Sequence, residues 1–143
     1  MGLPLDVCTE STLIDRLISY SLNQRGGYVL TPNLDHLRSV TRSTRLMELA
    51  RDAEVRVADG MPLVWASRIQ RTPLPERIAG SDLIFSMSHA LAGADRSVFL
   101  LGGNPGTADA TAAILASREE GLRIAGRGAN ARVVLSLRER AAA

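Results

Sequence analysis

The chain has 143 residues, 45% hydrophobic and 22% charged, a length and balance that fit one soluble domain with a sizeable core. Aromatic residues are only 3% and the formal net charge is +2, so Leu, Ile, Val and Ala must build the core, and scattered basic residues with little to stack on bases argue against nucleic-acid binding. The single cysteine, Cys8, excludes a disulfide framework or a cysteine metal site within one chain and points to a reducing compartment, and no window approaches the roughly 20 consecutive apolar residues that span a membrane.

The N-terminus, MGLPLDVCTE, has no positive patch and no long apolar run, so it does not read as a signal peptide. LPLDV at 3–7 reads as a short strand. From Thr9, a candidate cap, the period turns helical, with Leu13, Ile14, Leu17, Ile18 and Leu22 on one face and Gly26-Gly27 as the stop. YVLTP at 28–32 is a strand that ends at Pro32. Asn33 caps a short helix with Leu34, Leu37 and Val40 inward, and Ser43 starts another with Leu46, Met47 and Ala50 inward. EVRVA at 54–58 is a strand closed by Asp59-Gly60, and Pro62 suits the start of a helix whose Met61, Val64, Trp65 and Ile69 recur at helical spacing. RTPLPERIAG at 71–80 is an irregular connector. SDLIFSMSHALAG at 81–93 is a helix capped by Ser81, and SVFLLGG at 97–103 is the clearest buried strand. A helix from Pro105 to Glu119, stopped by Gly121, leads to a strand at 122–126.

Alternation of strand and helix predicts an α/β fold: a Rossmann-like open, mostly parallel sheet with helices on both faces. In such sheets ligands bind beyond the carboxyl ends of the strands. Three of these ends carry unusual residues: Thr31 to Asn33, Asp59-Gly60, and Gly102 to Gly106 (GGNPG). If the strands are neighbours, the three loops line one crevice. Each loop also has a plain structural reading. Asn33 is a good helix cap, Asp59-Gly60 a common turn pair, and G-G-x-x-G a weak phosphate signal. Arg77, in PERIAG, reads equally as a solvated arginine. Trp65 and Met61 read as core. His36 and His89 lack metal-ligand spacing. There is no D-x-D pair, no G-x-x-x-x-G-K-[ST] loop and no lysine; all 17 basic residues are arginine. An acid, arginines and glycine-rich turns suit metal-free handling of a diphosphate, so neither a metal nor a cofactor is expected.

TPNLDHL, ADGMPLVWASR, PLPERIAGSDL and VFLLGGNPGTA resemble, in this order, the conserved blocks of the WecG/TagA/CpsF glycosyltransferases, over about Gly2 to Gly126. The resemblance implies an inverting enzyme that moves N-acetylmannosamine or a related sugar from a UDP-sugar donor to a sugar on a polyprenyl-diphosphate lipid, in cell-surface polysaccharide or teichoic-acid-like polymer synthesis in bacteria. It implies Asp59 as catalytic base, Thr31 and Asn33 lining the sugar pocket, and Arg77 on the departing diphosphate. Gly60, Gly102 and Gly103 would lie close to the substrate. It also implies a cytoplasmic protein, peripheral on the inner face of the membrane, where the lipid-linked acceptor lies. Members of the family continue well past the matched blocks, so the core at 1–126 is expected to be truncated at its C-terminus and 127–143 to be a divergent basic tail. That tail carries four arginines against one glutamate, a net of +3, and Val133, Val134 and Leu137 would share a face if it were helical. A truncated sheet leaves an edge that favours a homo-oligomer. The alternatives are a non-catalytic remnant or partner module that keeps the fold, and a nucleotide-binding α/β domain without transferase activity.

Overall fold

The computed structural model describes residues 2–128 and 136–138. The chain folds as two compact units. The first holds the chain up to Leu13 together with Gly26–Leu83; the second holds Ile14–Arg25 and the chain from Ile84 onward. Helix α1 (Glu10–Leu22) and helix α5 (Gly80–Gly93) each contribute residues to both units.

In the first unit, strand β1 (Val29–Leu30) is followed by α2 (Leu34–Val40) and α3 (Thr44–Arg51), then by strand β2 (Val55–Arg56) and α4 (Met61–Ile69). Strands β1 and β2 pair in parallel, Val29 opposite Val55 and Leu30 opposite Arg56. The ladder is longer than these two pairs suggest. The Glu54 amide donates to the Tyr28 carbonyl, Val57 to Leu30 and Asp59 to Pro32, at 3.0, 2.9 and 3.0 Å. The strand expected at 3–7 does not form. Pro4 has no N–H to give a ladder, and the Asp6 carboxylate takes the Arg56 amide at 2.8 Å, a bond that a strand carbonyl would otherwise accept. The Asp6 amide does bond as a strand would, to the Arg56 carbonyl at 2.7 Å. Arg56 fixes the segment further through its guanidinium, which lies 3.5 Å from Asp6 and donates to the carbonyls of Pro4, Arg51 and Ala53. Ala58, Leu63, Val64 and Leu74 form a buried cluster, with Leu5 and Leu37 packed against it.

In the second unit, β3 (Ser97–Leu101) lies between β4 (Arg123–Gly128), parallel to it, and β5 (Ser136–Arg138), antiparallel. Helix α6 (Thr107–Arg118) connects β3 and β4. The β3–β4 register slips between Val98 and Phe99, so that Phe99 faces Gly126. A side chain at Gly126 would begin 2.6 Å from the Phe99 ring, which explains a glycine inside a strand. The core here is one cluster: Met87, Leu91, Val98, Leu100, Ala112, Leu115 and Leu122 are buried together.

The protein is thus a mixed α/β chain whose described strands form two small sheets, a parallel pair and a three-stranded sheet with one antiparallel neighbour. Several local expectations are corrected. Residues 136–138, read as part of a basic helix, are a strand; Val133 and Val134 lie outside the described residues. Ser81 is inside α5 rather than its cap, and α6 begins at Thr107 with Gly106 as cap, not at Pro105. Met61 and Trp65 are not core: they are exposed, as are Leu22, Leu34 and Leu46. Leu63, Val64 and Ser67 are the residues of α4 that turn inward.

Helix α1 stops at Leu22, four residues before the glycines expected to end it. Gln24 adopts the left-handed conformation (φ 54°), the Arg25 amide reaches the Tyr20 carbonyl and the Gln24 amide reaches Ser21. This is the six-to-one, five-to-two closure that satisfies the last carbonyls of a helix. The same pair of bonds closes α4 at Arg71 (φ 60°) and α5 at Asp95 (φ 52°). Every described non-glycine residue with positive φ therefore sits at the same position of a helix end.

Candidate functional site

Three backbone segments of the first unit converge where β1 and β2 end. The Asp59 amide donates to the Pro32 carbonyl at 3.0 Å, which joins the two strand exits residue to residue. On the other side of β2, the Ile78 amide donates to the Ala58 carbonyl at 2.9 Å and draws in the connector that carries Arg77. Pro32, Val57 and Ile78 are each fully buried, so the junction is anchored in the core while its polar neighbours remain accessible. Thr31, Asn33 and Asp59, separated by up to 28 positions in sequence, are half-buried around this junction.

The surroundings of each residue follow from local structure. Asn33 is the N-cap of α2: its Oδ1 accepts the His36 amide at 2.9 Å, and His36 Nδ1 faces the Asn33 amide at 3.4 Å. The cap uses the side-chain oxygen and leaves Nδ2 as the donor without a partner among the described residues. Thr31 sits against the first turn of α5. A β-carbon at Gly80 would lie 3.0 Å from Thr31 Oγ1, so the absence of a side chain there is what lets the helix start so close. Asp59 uses its amide for Pro32, and no described group donates to its carboxylate. Gly60 follows at φ 154°, a conformation that side chains rarely adopt, and caps α4 through its carbonyl alone. Space is not the reason for glycine here, since a β-carbon would meet only Pro62 at 3.7 Å.

Arg77 is exposed and its guanidinium donates to Asp82 Oδ2 at 2.6 Å, across the start of α5. Both side chains are open to water (41% and 58%), which makes the pair exchangeable for a competing anion. Sequence reasoning missed Asp82 and Gly80. Their signal was present as an acid and a small residue in the first turn of a helix that begins three positions after Arg77.

Gly102 and Gly103 belong to the second unit, at the end of β3. Both have positive φ (113° and 80°), and Gly102 donates to the Gly128 carbonyl at 2.9 Å. A side chain at Gly103 would begin 2.8 Å from Thr107 Cβ, so this turn requires glycine for conformation and for space. Beside it lies a hollow of about 170 Å³ lined by Asn104, Gly106, Ala108, Asp109, Arg127 and Gly128. Arg127 and Asp109 pair across it at 2.6 Å. His89 faces Glu119 at 2.7 Å on the surface of the same unit. Among the described residues no group of three or more His, Cys, Asp or Glu side chains could hold a metal ion, and no helix is long and apolar enough to cross a membrane.

The arrangement in the first unit offers an uncommitted carboxylate, a hydroxyl, an amide donor and a guanidinium held by an exchangeable partner. Those are the groups needed to accept a proton, orient a polyhydroxylated ligand and meet an anion. The chain matches the family model of the glycosyl transferase WecG/TagA/CpsF family over residues 1–134, a stretch that contains all four motif blocks. None of the curated proteins compared with the chain matches it.

Proposed function

The chain belongs to the WecG/TagA/CpsF glycosyltransferase family, and from that membership we propose that it moves N-acetylmannosamine or a related sugar from UDP to a sugar on a polyprenyl-diphosphate lipid. What carries this reading is the Asp59 carboxylate, half-buried at the joined strand exits and without a donor of its own among the described residues. A general base needs a free lone pair at the proton it removes, and Asp59 has not spent its lone pairs on the fold.

In the proposed reaction the acceptor hydroxyl attacks the anomeric carbon of the donor from the face opposite UDP. Its proton passes to Asp59. The bond from the anomeric carbon to the diphosphate oxygen breaks, and the electron pair leaves with UDP, so the configuration inverts. Thr31 and the Asn33 amide hold the sugar ring near Asp59, and the turn at Gly60 fixes where that carboxylate points. Arg77 exchanges Asp82 for the diphosphate, on which negative charge grows as the bond breaks. A guanidinium matches phosphate oxygens two at a time and supplies this stabilisation in place of a divalent ion. The nearness of the acceptor lipid would place the protein at the inner face of the membrane.

The test is UDP release by the purified chain with UDP-N-acetylmannosamine and a polyprenyl-diphosphate-linked sugar. We expect turnover, and Asp59→Asn to lower it by about 10²–10⁴-fold, the range of a general base, while the circular dichroism spectrum stays unchanged. Equal rates for the parent and the asparagine variant would remove Asp59 from this role. No UDP release with any lipid-linked acceptor would favour a module that keeps the fold without the activity.

A further inference from the structure

Helix α4 has two apolar faces, and only one of them is used by the core. Leu63, Val64 and Ser67 are buried, whereas Met61, Trp65 and Ile69, spaced by four, form a stripe on the outside. Exposure rises along it, from 38% at Met61 to 56% at Trp65 and 84% at Ile69. Exposed Pro62 widens it at the start. At a rise of about 1.5 Å per residue the stripe is about 12 Å long. A soluble surface rarely aligns tryptophan, methionine and isoleucine without a use for them.

We propose that this stripe docks on an anionic phospholipid surface, with the helix lying in the interface plane. Charge favours that occupant. From Gly60 to Pro75 the chain carries Arg68 and Arg71 and no acidic residue, and both arginines are exposed. Lipid phosphates supply the anions that these guanidiniums need, while acyl chains cover the apolar residues, and tryptophan suits the boundary between the two. A second copy of the chain is the competing occupant, and self-association is read out in the same titration. The stripe also begins two residues after Asp59, so a membrane beneath α4 would deliver a lipid-linked acceptor to that carboxylate. The proposal rests on the glycosyltransferase reading only for this last point.

Trp65 is the chain's single tryptophan, so its fluorescence reports on the stripe alone. The experiment uses the full chain with phosphatidylglycerol-containing vesicles, pure phosphatidylcholine vesicles, and vesicles with brominated acyl chains. The expected result is a blue shift and bromine quenching of Trp65 with the anionic vesicles, weaker with phosphatidylcholine and weakened by salt. Ile69→Asp, at a position too exposed to affect folding, should lower the partition coefficient at least fivefold, and Asp59→Asn should leave it unchanged. Vesicle binding without quenching of Trp65, binding indifferent to Ile69→Asp, or no binding at all would each overturn the proposal. So would a blue shift without vesicles that grows with protein concentration and tracks a doubled mass in light scattering, which would assign the stripe to a second copy. Partition without UDP release would leave this proposal standing and remove the enzymatic one, and the reverse result would separate them the other way.

Discussion

The exits of β2 and β3 both end in glycine turns ahead of a helix, yet they offer a ligand different things. At β2 the turn has one glycine, and the neighbouring segments are tied to it by Asp59 to Pro32 and by Ile78 to Ala58. Side chains from three stretches of chain surround it. At β3 the turn has glycines at 102, 103 and 106, all at positive φ, and presents mostly backbone beside a hollow whose charges are already paired as Asp109 and Arg127. A short ladder stitched by loop bonds can thus gather polar side chains from distant stretches, while a longer strand ending in glycines presents mostly backbone. A single cluster of buried residues lies with β3, and the uncommitted carboxylate lies with β2.

Five substitutions would break or sharpen that contrast. The largest expected effect is on the β3 side. Leu100 is 2% exposed, and Leu100→Ala should cost about 2–5 kcal/mol of unfolding free energy in a denaturant titration, with the specific activity of the remaining folded protein little changed. On the β2 side the order reverses. Arg77→Ala should lower the turnover number on the order of 10²–10³-fold, with almost no change in the unfolding midpoint, since its exposed pair with Asp82 contributes little to the fold. Asp82→Ala, which releases the guanidinium, should lower the donor KM; a rise in KM would mean that Asp82 positions Arg77 rather than competing for it. Gly60→Ala should cost about 1–3 kcal/mol through its φ of 154° alone, and activity should fall further than that strain accounts for if the turn aims Asp59. The smallest effect is a gain. Gln24→Gly should raise stability by up to about 1 kcal/mol, because glycine occupies the left-handed end of α1 without the steric penalty of a β-carbon.

Much of this was legible in the residues. The Asn33 and Ser43 caps hold as read: each side-chain oxygen accepts the amide three residues on, at 2.9 and 3.3 Å. Thr9, likewise, accepts the Thr12 amide at 3.3 Å. Capping is a local contest between a short side chain and the first free amides, so four residues of sequence suffice to state it. Helix ends were harder. The glycine signal pointed to Gly26 for α1, but the left-handed position fell on Gln24, and at α4 and α5 on Arg71 and Asp95. The two closing hydrogen bonds offset the strain, and nothing in the identity of those residues announces it. The stripe on α4 was misread for a related reason. Periodicity shows that Met61, Val64, Trp65 and Ile69 recur at helical spacing but not which arc of the helix meets the core. The neighbours Leu5, Leu37 and Leu74 settled that in favour of Leu63 and Val64.

The sequence alone determined the alternation of strands and helices, the caps, the glycine turns at the strand exits and, through four ordered motif blocks, the family. These depend on spacing and on the conformational limits of individual residues, which act over a few positions. Tertiary structure alone decided that Asp6 would take the Arg56 amide and keep residues 3–7 from becoming a strand. It decided that Asp82 would hold Arg77, and that Ile78 would bring the connector to β2. Each of these is a bond between groups whose partners are chosen by the packing of the chain around them, and local sequence carries no record of that choice.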